Sequence, residues 1–125
     1  MSVVQLDSIR KPVGNTGAEL GSIDMGPMSV LSHRMPAGTD FTELLRAACG
    51  DILCPVPHYF VVTSGKLGIR YTDDGSEETV SPGEVAYLRP GHTCWAISDV
   101  EMVEISPADG NNYLLARIAA TGLLG

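Results

Sequence analysis

From Asp51 to Ser106 the sequence advances in short β-prone runs, each cut off by a turn signal within about a dozen residues. That rhythm constrains the fold more than any other feature. His58–Ser64 stops at Gly65-Lys66, Leu67–Thr72 at Asp73-Asp74-Gly75-Ser76, and Glu77–Val80 at Ser81-Pro82-Gly83. Val85–Leu88 stops at Arg89-Pro90-Gly91, Cys94–Ser98 at Asp99, and Glu101–Ser106 at Pro107-Ala-Asp-Gly110. Strands this short and this closely spaced predict an all-β antiparallel sandwich or barrel.

Upstream the pattern is looser. Residues 2–6 can form a short edge strand, while Lys11-Pro12 and residues 14–17 read as loop. Leu20–Met25 and Met28–Met35 alternate as strands on either side of a Gly26-Pro27 turn. In the second of these, Ser29, Leu31, His33 and Met35 share one face, so His33 can reach the interior; a satisfied or half-exposed histidine is the commoner fate. Asp40–Gly50 reads as a short helix, with a lid or loop as the alternative. Asp40 and Glu43 stand as a capping box, and Gly50 as the left-handed terminator. Tyr113–Ala120 fits a last strand or a short helix equally well.

At 125 residues the chain reads as one domain, 1–125, with its motifs in 51–106 and strands in 2–35 left for packing or dimerisation. Charged residues make up only 18%, and 14 Gly and 8 Pro supply many turns, which suits a small β domain. The net charge of −7 and the lack of any basic cluster argue against nucleic acid and against anionic membranes. No apolar run reaches the roughly 18 residues a bilayer span requires, and Met1–Asp7 lacks the pattern of a signal peptide. The expected location is cytoplasmic. Cys49, Cys54 and Cys94 are then free thiols, with Cys49 read as a small buried hydrophobe.

The chemistry-bearing residues crowd into two pieces, Cys54-Pro-Val-Pro-His58 through Gly65, and Gly83 through Pro90-Gly91-His92-Thr-Cys94-Trp95. Gly65 in Thr-Ser-Gly-Lys-Leu, Gly83 and Gly91 stand at the glycine spacings of the two cupin motifs, with Pro90 one place late. The chain thus resembles the cupin superfamily over about residues 51–106. It is also similar to a subset of small single-domain bacterial cupins with a Cys-Pro-x-Pro-His start and a Pro-Gly-His-x-x-Trp second motif. The resemblance implies a jelly-roll barrel, a small-molecule pocket and a homodimer paired through N-terminal strands. It also implies where this chain departs. His58 stands at the family's Glu position; the shorter motif-one spacing puts Ile52 and Cys54 at the two histidines and the longer one Asp51 and Leu53, while Cys94 stands at the motif-two histidine and Ser98 at the terminal Asn. The usual three-His-one-Glu metal set is absent.

On that alignment Cys54 and His58 share strand parity with Phe60 and Val62, and Cys94 with His92. Cys54, His58, His92 and Cys94 would then meet at the barrel mouth as a borderline-soft donor set suited to zinc or iron. Pro55 and Pro57 can break that parity, and barrels also bury cysteine as inert filler, so a metal centre and a metal-free apolar pocket both stay open. His58 and His92 are the acid–base candidates, and Phe60, Tyr87 and Trp95 either line the pocket or fill the core. Asp73, Asp74, Glu77 and Glu78 surround a turn and read as solvated, and a Cys54–His58 dyad lacks an evident third group. Two functions compete: an enzyme acting on a small organic molecule (isomerase, lyase, cyclase or dioxygenase), and a non-enzymatic binding or sensing module. A dimeric barrel with a vestigial pocket is the third reading.

Overall fold

The computed structural model describes residues 2–124. Nine strands run through it: β1 (Lys11–Pro12), β2 (Glu19–Met25), β3 (Met28–Met35), β4 (His58–Ser64), β5 (Leu67–Tyr71), β6 (Glu77–Val80), β7 (Val85–Leu88), β8 (His92–Ala96) and β9 (Val100–Pro107). Helix α1 (Thr42–Cys49) precedes β4, and α2 (Ala108–Ala120) follows β9. The strands form a six-stranded sheet, β1-β2-β3-β9-β4-β7, and a three-stranded one, β6-β5-β8, with every pairing antiparallel. This is the expected antiparallel jelly-roll barrel. Among the described residues no helix is long and apolar enough to cross a membrane.

Alternation decides what the barrel encloses. Pairing of Phe60 with Glu104 and Val62 with Met102 puts His58, Phe60 and Val62 of β4 on the same side as Met102, Glu104 and Ser106 of β9. Across the barrel, Ile69 opposite Cys94 and Tyr71 opposite His92 aim inward from the small sheet. Phe60, Val62, Leu67, Ile69, Leu88 and Met102 close one end as a continuous apolar core. A second cluster, Leu45, Leu53, Cys54, Val56 and Leu114, fixes the two helices over the other end.

The hairpin glycine at 65 is required twice over. Its φ is 81°, and a Cβ there would lie 1.8 Å from the Asp99 carbonyl oxygen.

Several expectations are revised. Residues 2–6 form no strand; Leu6–Ile9 is a 3₁₀ turn, held by the Ser8 amide and hydroxyl, which both donate to Gln5 O. That turn lies against β2 so closely that a Cβ on Gly21 would sit 1.9 Å from Ile9 O. Lys11-Pro12, read as loop, pairs with β2 at the sheet edge, where proline's missing N–H costs no ladder bond. The strand placed at 94–98 begins at His92. Helix α1 starts one residue after Phe41: Asp40 Oδ1 accepts from the Thr42 amide at 2.9 Å and its hydroxyl at 2.5 Å, while Glu43 pairs with Arg46 instead of closing a capping box. Gly50 ends that helix at φ 78°, and the ambiguous Tyr113–Ala120 stretch is helical, launched by Pro107.

Candidate functional site

His58 is the first residue of β4 and His92 the first of β8, and a short backbone bridge holds Cys54 between them. The Cys54 amide donates to His92 O at 3.1 Å, and the Gly91 amide donates to Cys54 O at 2.7 Å. Gly91 makes this possible with a φ of 86° and a Thr72 Oγ1 only 2.9 Å from where a Cβ would stand. Pro55 and Pro57 do interrupt the strand, so Cys54 is placed by this bridge and not by β4 alternation. The turn before it is strained: Leu53 is the one non-glycine among the described residues with a positive φ, 64°.

The donor atoms of Cys54, His58 and His92 all lie within 4.8 Å of one another, and all three residues are buried. His58 Nε2 is 3.1 Å from Cys54 Sγ. Its other nitrogen, Nδ1, is 2.9 Å from Glu104 Oε2 and 2.6 Å from Ser106 Oγ, whose hydroxyl donates to the same carboxylate oxygen at 2.7 Å. Glu104 Oε1 meets His33 Nε2 at 2.9 Å, so one buried carboxylate holds an imidazole on each oxygen. His92 Nδ1 donates to Arg89 O at 2.6 Å, which leaves its Nε2 lone pair for the site. Phe60 stacks on His58 at 5.6 Å and 10°, fixing the ring from the core side.

These contacts set the charges. Burial pushes the Cys54 thiol up, but hydrogen bonding to His58 and His92 outweighs it and brings the pKa down to about 6. Burial pushes His58 down, yet the Glu104 charge and the Cys54 hydrogen bond raise it to about 10. Burial opposes ionisation of Glu104 as well, and the charge of His58 with the His33 hydrogen bond holds it far below the usual carboxylate range. At neutral pH the metal-free site is therefore a thiolate–imidazolium–carboxylate series.

The remaining expected residues distribute differently. Cys94 faces the same cavity but stands outside the three-residue cluster, and burial with the charges of Glu104 and Cys54 pushes its thiol up, keeping it neutral. Phe60 lines the cavity. Tyr87 and Trp95, expected in the pocket, lie outside it. Pairing of His58 with Leu88 and Phe60 with Ala86 turns Tyr87 to the outer face, where it is 52% exposed against Tyr59. Trp95 is turned out likewise and covers Gly68, where a Cβ would fall 2.4 Å from its ring. Glu104 and Ser106 were missed. The legible signal was a carboxylate at the inward parity of Val100, Met102 and Ser106, a position otherwise given to apolar or small residues.

The cluster opens into a cavity of about 450 Å³, within the size range of small-molecule sites. Leu31, Met35, Phe41, Leu45, Met102 and Leu114 supply much of its wall, with α2 as its cover.

No protein-family model and no curated protein sequence matches this chain. Its backbone is similar to that of a Rhizobium leguminosarum protein of unknown function (TM-score 0.61, 20% identity, covering 86% of this chain and 95% of that one). It is similar also to KdgF from Halomonas sp. (0.59, 14%, 86% and 94%) and to a cupin superfamily protein from Desulfitobacterium hafniense (0.56, 12%, 83% and 88%). The likeness is one of fold.

Proposed function

Starting from the cupin fold of this chain, we propose that Cys54, His58 and His92 bind one divalent transition metal, zinc or ferrous iron, and act there on a small organic molecule. The observation that carries this reading is the convergence of three buried donors whose spare ring nitrogens are already engaged. One thiolate and two imidazoles form a borderline-soft set that fits zinc or iron and disfavours magnesium, which prefers oxygen. Three protein ligands leave a coordination position open, and a metal bound there supplies Lewis acidity toward substrate or water.

The chain's own groups do the preparing. Glu104 and Ser106 keep a proton on His58 Nδ1, so the coordinating end is Nε2, whose proton leaves on metal binding. Arg89 O does the same for His92. The lowered thiol makes Cys54 available as thiolate near neutral pH. The apolar walls exclude water, and with no metal bound the Nε2 atoms of His58 and His92 are the ones placed to hold or move a proton at the substrate. Three free cysteines suit a reducing, cytoplasmic setting.

Elemental analysis of protein purified without an affinity tag tests the centre. Near-stoichiometric zinc or iron is expected, and none in the folded Cys54→Ala/His58→Ala variant. Absence of metal from both folded proteins would overturn the centre and leave a metal-free binding module.

We further propose a homodimer, formed through the back of the large sheet instead of the N-terminal strands. The 3₁₀ turn already covers that face near Gly21, while Tyr59, Val85 and Tyr87 remain half exposed or more beside Val61, Val103 and Ile105. Such an uncharged patch can match a second copy of itself across a twofold axis without like-charge repulsion at its centre. A dimer by light scattering that becomes monomeric in Tyr59→Glu/Tyr87→Glu is the expected result. A monomeric unaltered protein would end this proposal.

A further inference from the structure

We infer that the cavity selects an uncharged, largely apolar molecule bearing one hydrogen-bond donor, and that Asn111 on the covering helix α2 receives that donor. The inference rests on the reading that this cavity is the ligand chamber, and not on the metal.

With no metal bound, the charge lining disfavours both signs of organic ion. Among the described residues no Lys or Arg lines the cavity, and the His58 imidazolium is already paired with Glu104 and Cys54, so in the metal-free chain an anionic group finds no free cation. A cation fares no better. Both Glu104 oxygens are taken by His33, His58 and Ser106, the Cys54 thiolate is paired with His58 at 3.1 Å, and the cavity's other carboxylate, Glu19, is bonded to Arg34 at 2.6 Å. An organic ion entering the metal-free cavity would lose its hydration and find each opposite charge already paired. The apolar wall described above favours hydrocarbon instead.

One polar atom in that wall is unsatisfied. Asn111 is 1% exposed, its amide nitrogen donates to Ser22 Oγ at 3.1 Å, and its Oδ1 has no partner. Buried polar atoms in folded proteins are nearly always bonded, because an unpaired one forfeits its hydration for nothing. Asn111 is among the residues that line the ligand-sized cavity, and its carbonyl, closed off from water, is completed by a ligand donor that reaches it. A hydroxyl or amide N–H of the ligand would do so, with its apolar body among Leu31, Phe41 and Leu114.

The test is calorimetric titration of the chelator-treated full chain with three probes of like size: para-butylphenol, butylbenzene and para-butylbenzoate. Para-butylphenol is expected to bind roughly fivefold more tightly than butylbenzene, the worth of one net hydrogen bond, and the benzoate not measurably. In Asn111→Leu the phenol's advantage should vanish while butylbenzene binds as well or better. Benzoate binding as tight as that of the phenol, or no preference for phenol over butylbenzene, would overturn the inference on the unaltered chain alone. So would an advantage that survives Asn111→Leu. Because chelation removes metal contacts, this outcome is independent of the elemental analysis. Metal present without the preference sinks this inference, and the preference without metal sinks the centre.

Discussion

Glu104 is the residue on which the protonation of the site turns. Its charge is the largest influence holding the proton on His58 against burial, and His58 in turn holds Cys54 as thiolate. Glu104→Gln keeps the shape and removes the charge, so His58 should lose its proton more readily and the Cys54 thiol should rise from about 6 by at least about one unit. Alkylation by iodoacetamide in the presence of a chelator, read against pH with the modified cysteine located by mass spectrometry, measures this directly. Cys49 and Cys94 interfere little, since burial pushes both thiols up. An unchanged midpoint for Cys54 would remove Glu104 from this role. The sequence showed Cys54, His58 and His92 because they stand at motif positions flanked by glycine and proline. It did not show Glu104, because no motif marks it and its partners, His33 and Ser106, are 71 and 2 residues away. Tyr87 and Trp95 were misplaced for a related reason: type and neighbourhood suggest a pocket, but strand register alone sets the face.

At the scale of the element, Gly65 and Gly83 look alike in sequence and in backbone, with φ of 81° and 85°. Their surroundings differ. A Cβ at Gly83 meets nothing within 4 Å, whereas one at Gly65 strikes the Asp99 backbone oxygen at 1.8 Å. Gly83→Ala should therefore cost only the left-handed strain, about 1–2 kcal/mol, while Gly65→Ala should cost clearly more because β9 must move away. Chemical denaturation of the two variants compares them, and equal losses would contradict the packing argument. Most strands were legible because alternation and turn residues agree over β2 to β9. Three stretches were not. Residues 2–6 are too short for periodicity to separate a strand from the 3₁₀ turn that Ser8 closes on Gln5. Lys11-Pro12 becomes a strand only through its β2 partner. The stretch after Pro107 has apolar residues on too many faces for its period to be read, and packing of Leu114 beside Leu45 settles it as a helix.

For the whole molecule, stability against pH is set by groups whose slopes oppose. Cys54 falls from an ordinary 9.0 to about 6 in the folded chain, so its contribution is full above pH 9 and fades as pH drops toward 6. His58 rises from 6.5 to about 10, so its contribution is full below pH 6.5 and fades as pH climbs toward 10. Between about 6.5 and 9 one gain offsets the other loss, and the metal-free protein should show a flat profile there. Cys54→Ala removes one slope and leaves the other, because Glu104 still raises His58. Its stability should decline across the same interval by up to about 1.4 kcal/mol per pH unit. Glu104, held below its ordinary 4.5, stabilises above that value and is lost on acidification in both proteins, giving them a shared acid limb. Urea midpoints of the chelated proteins across this range decide the matter. A flat wild-type plateau beside a falling Cys54→Ala line establishes the thiolate–imidazolium pair as a working unit of the fold. Parallel lines would mean that Cys54 is a neutral thiol in the folded chain, and that the charge series built on Glu104 stops at His58.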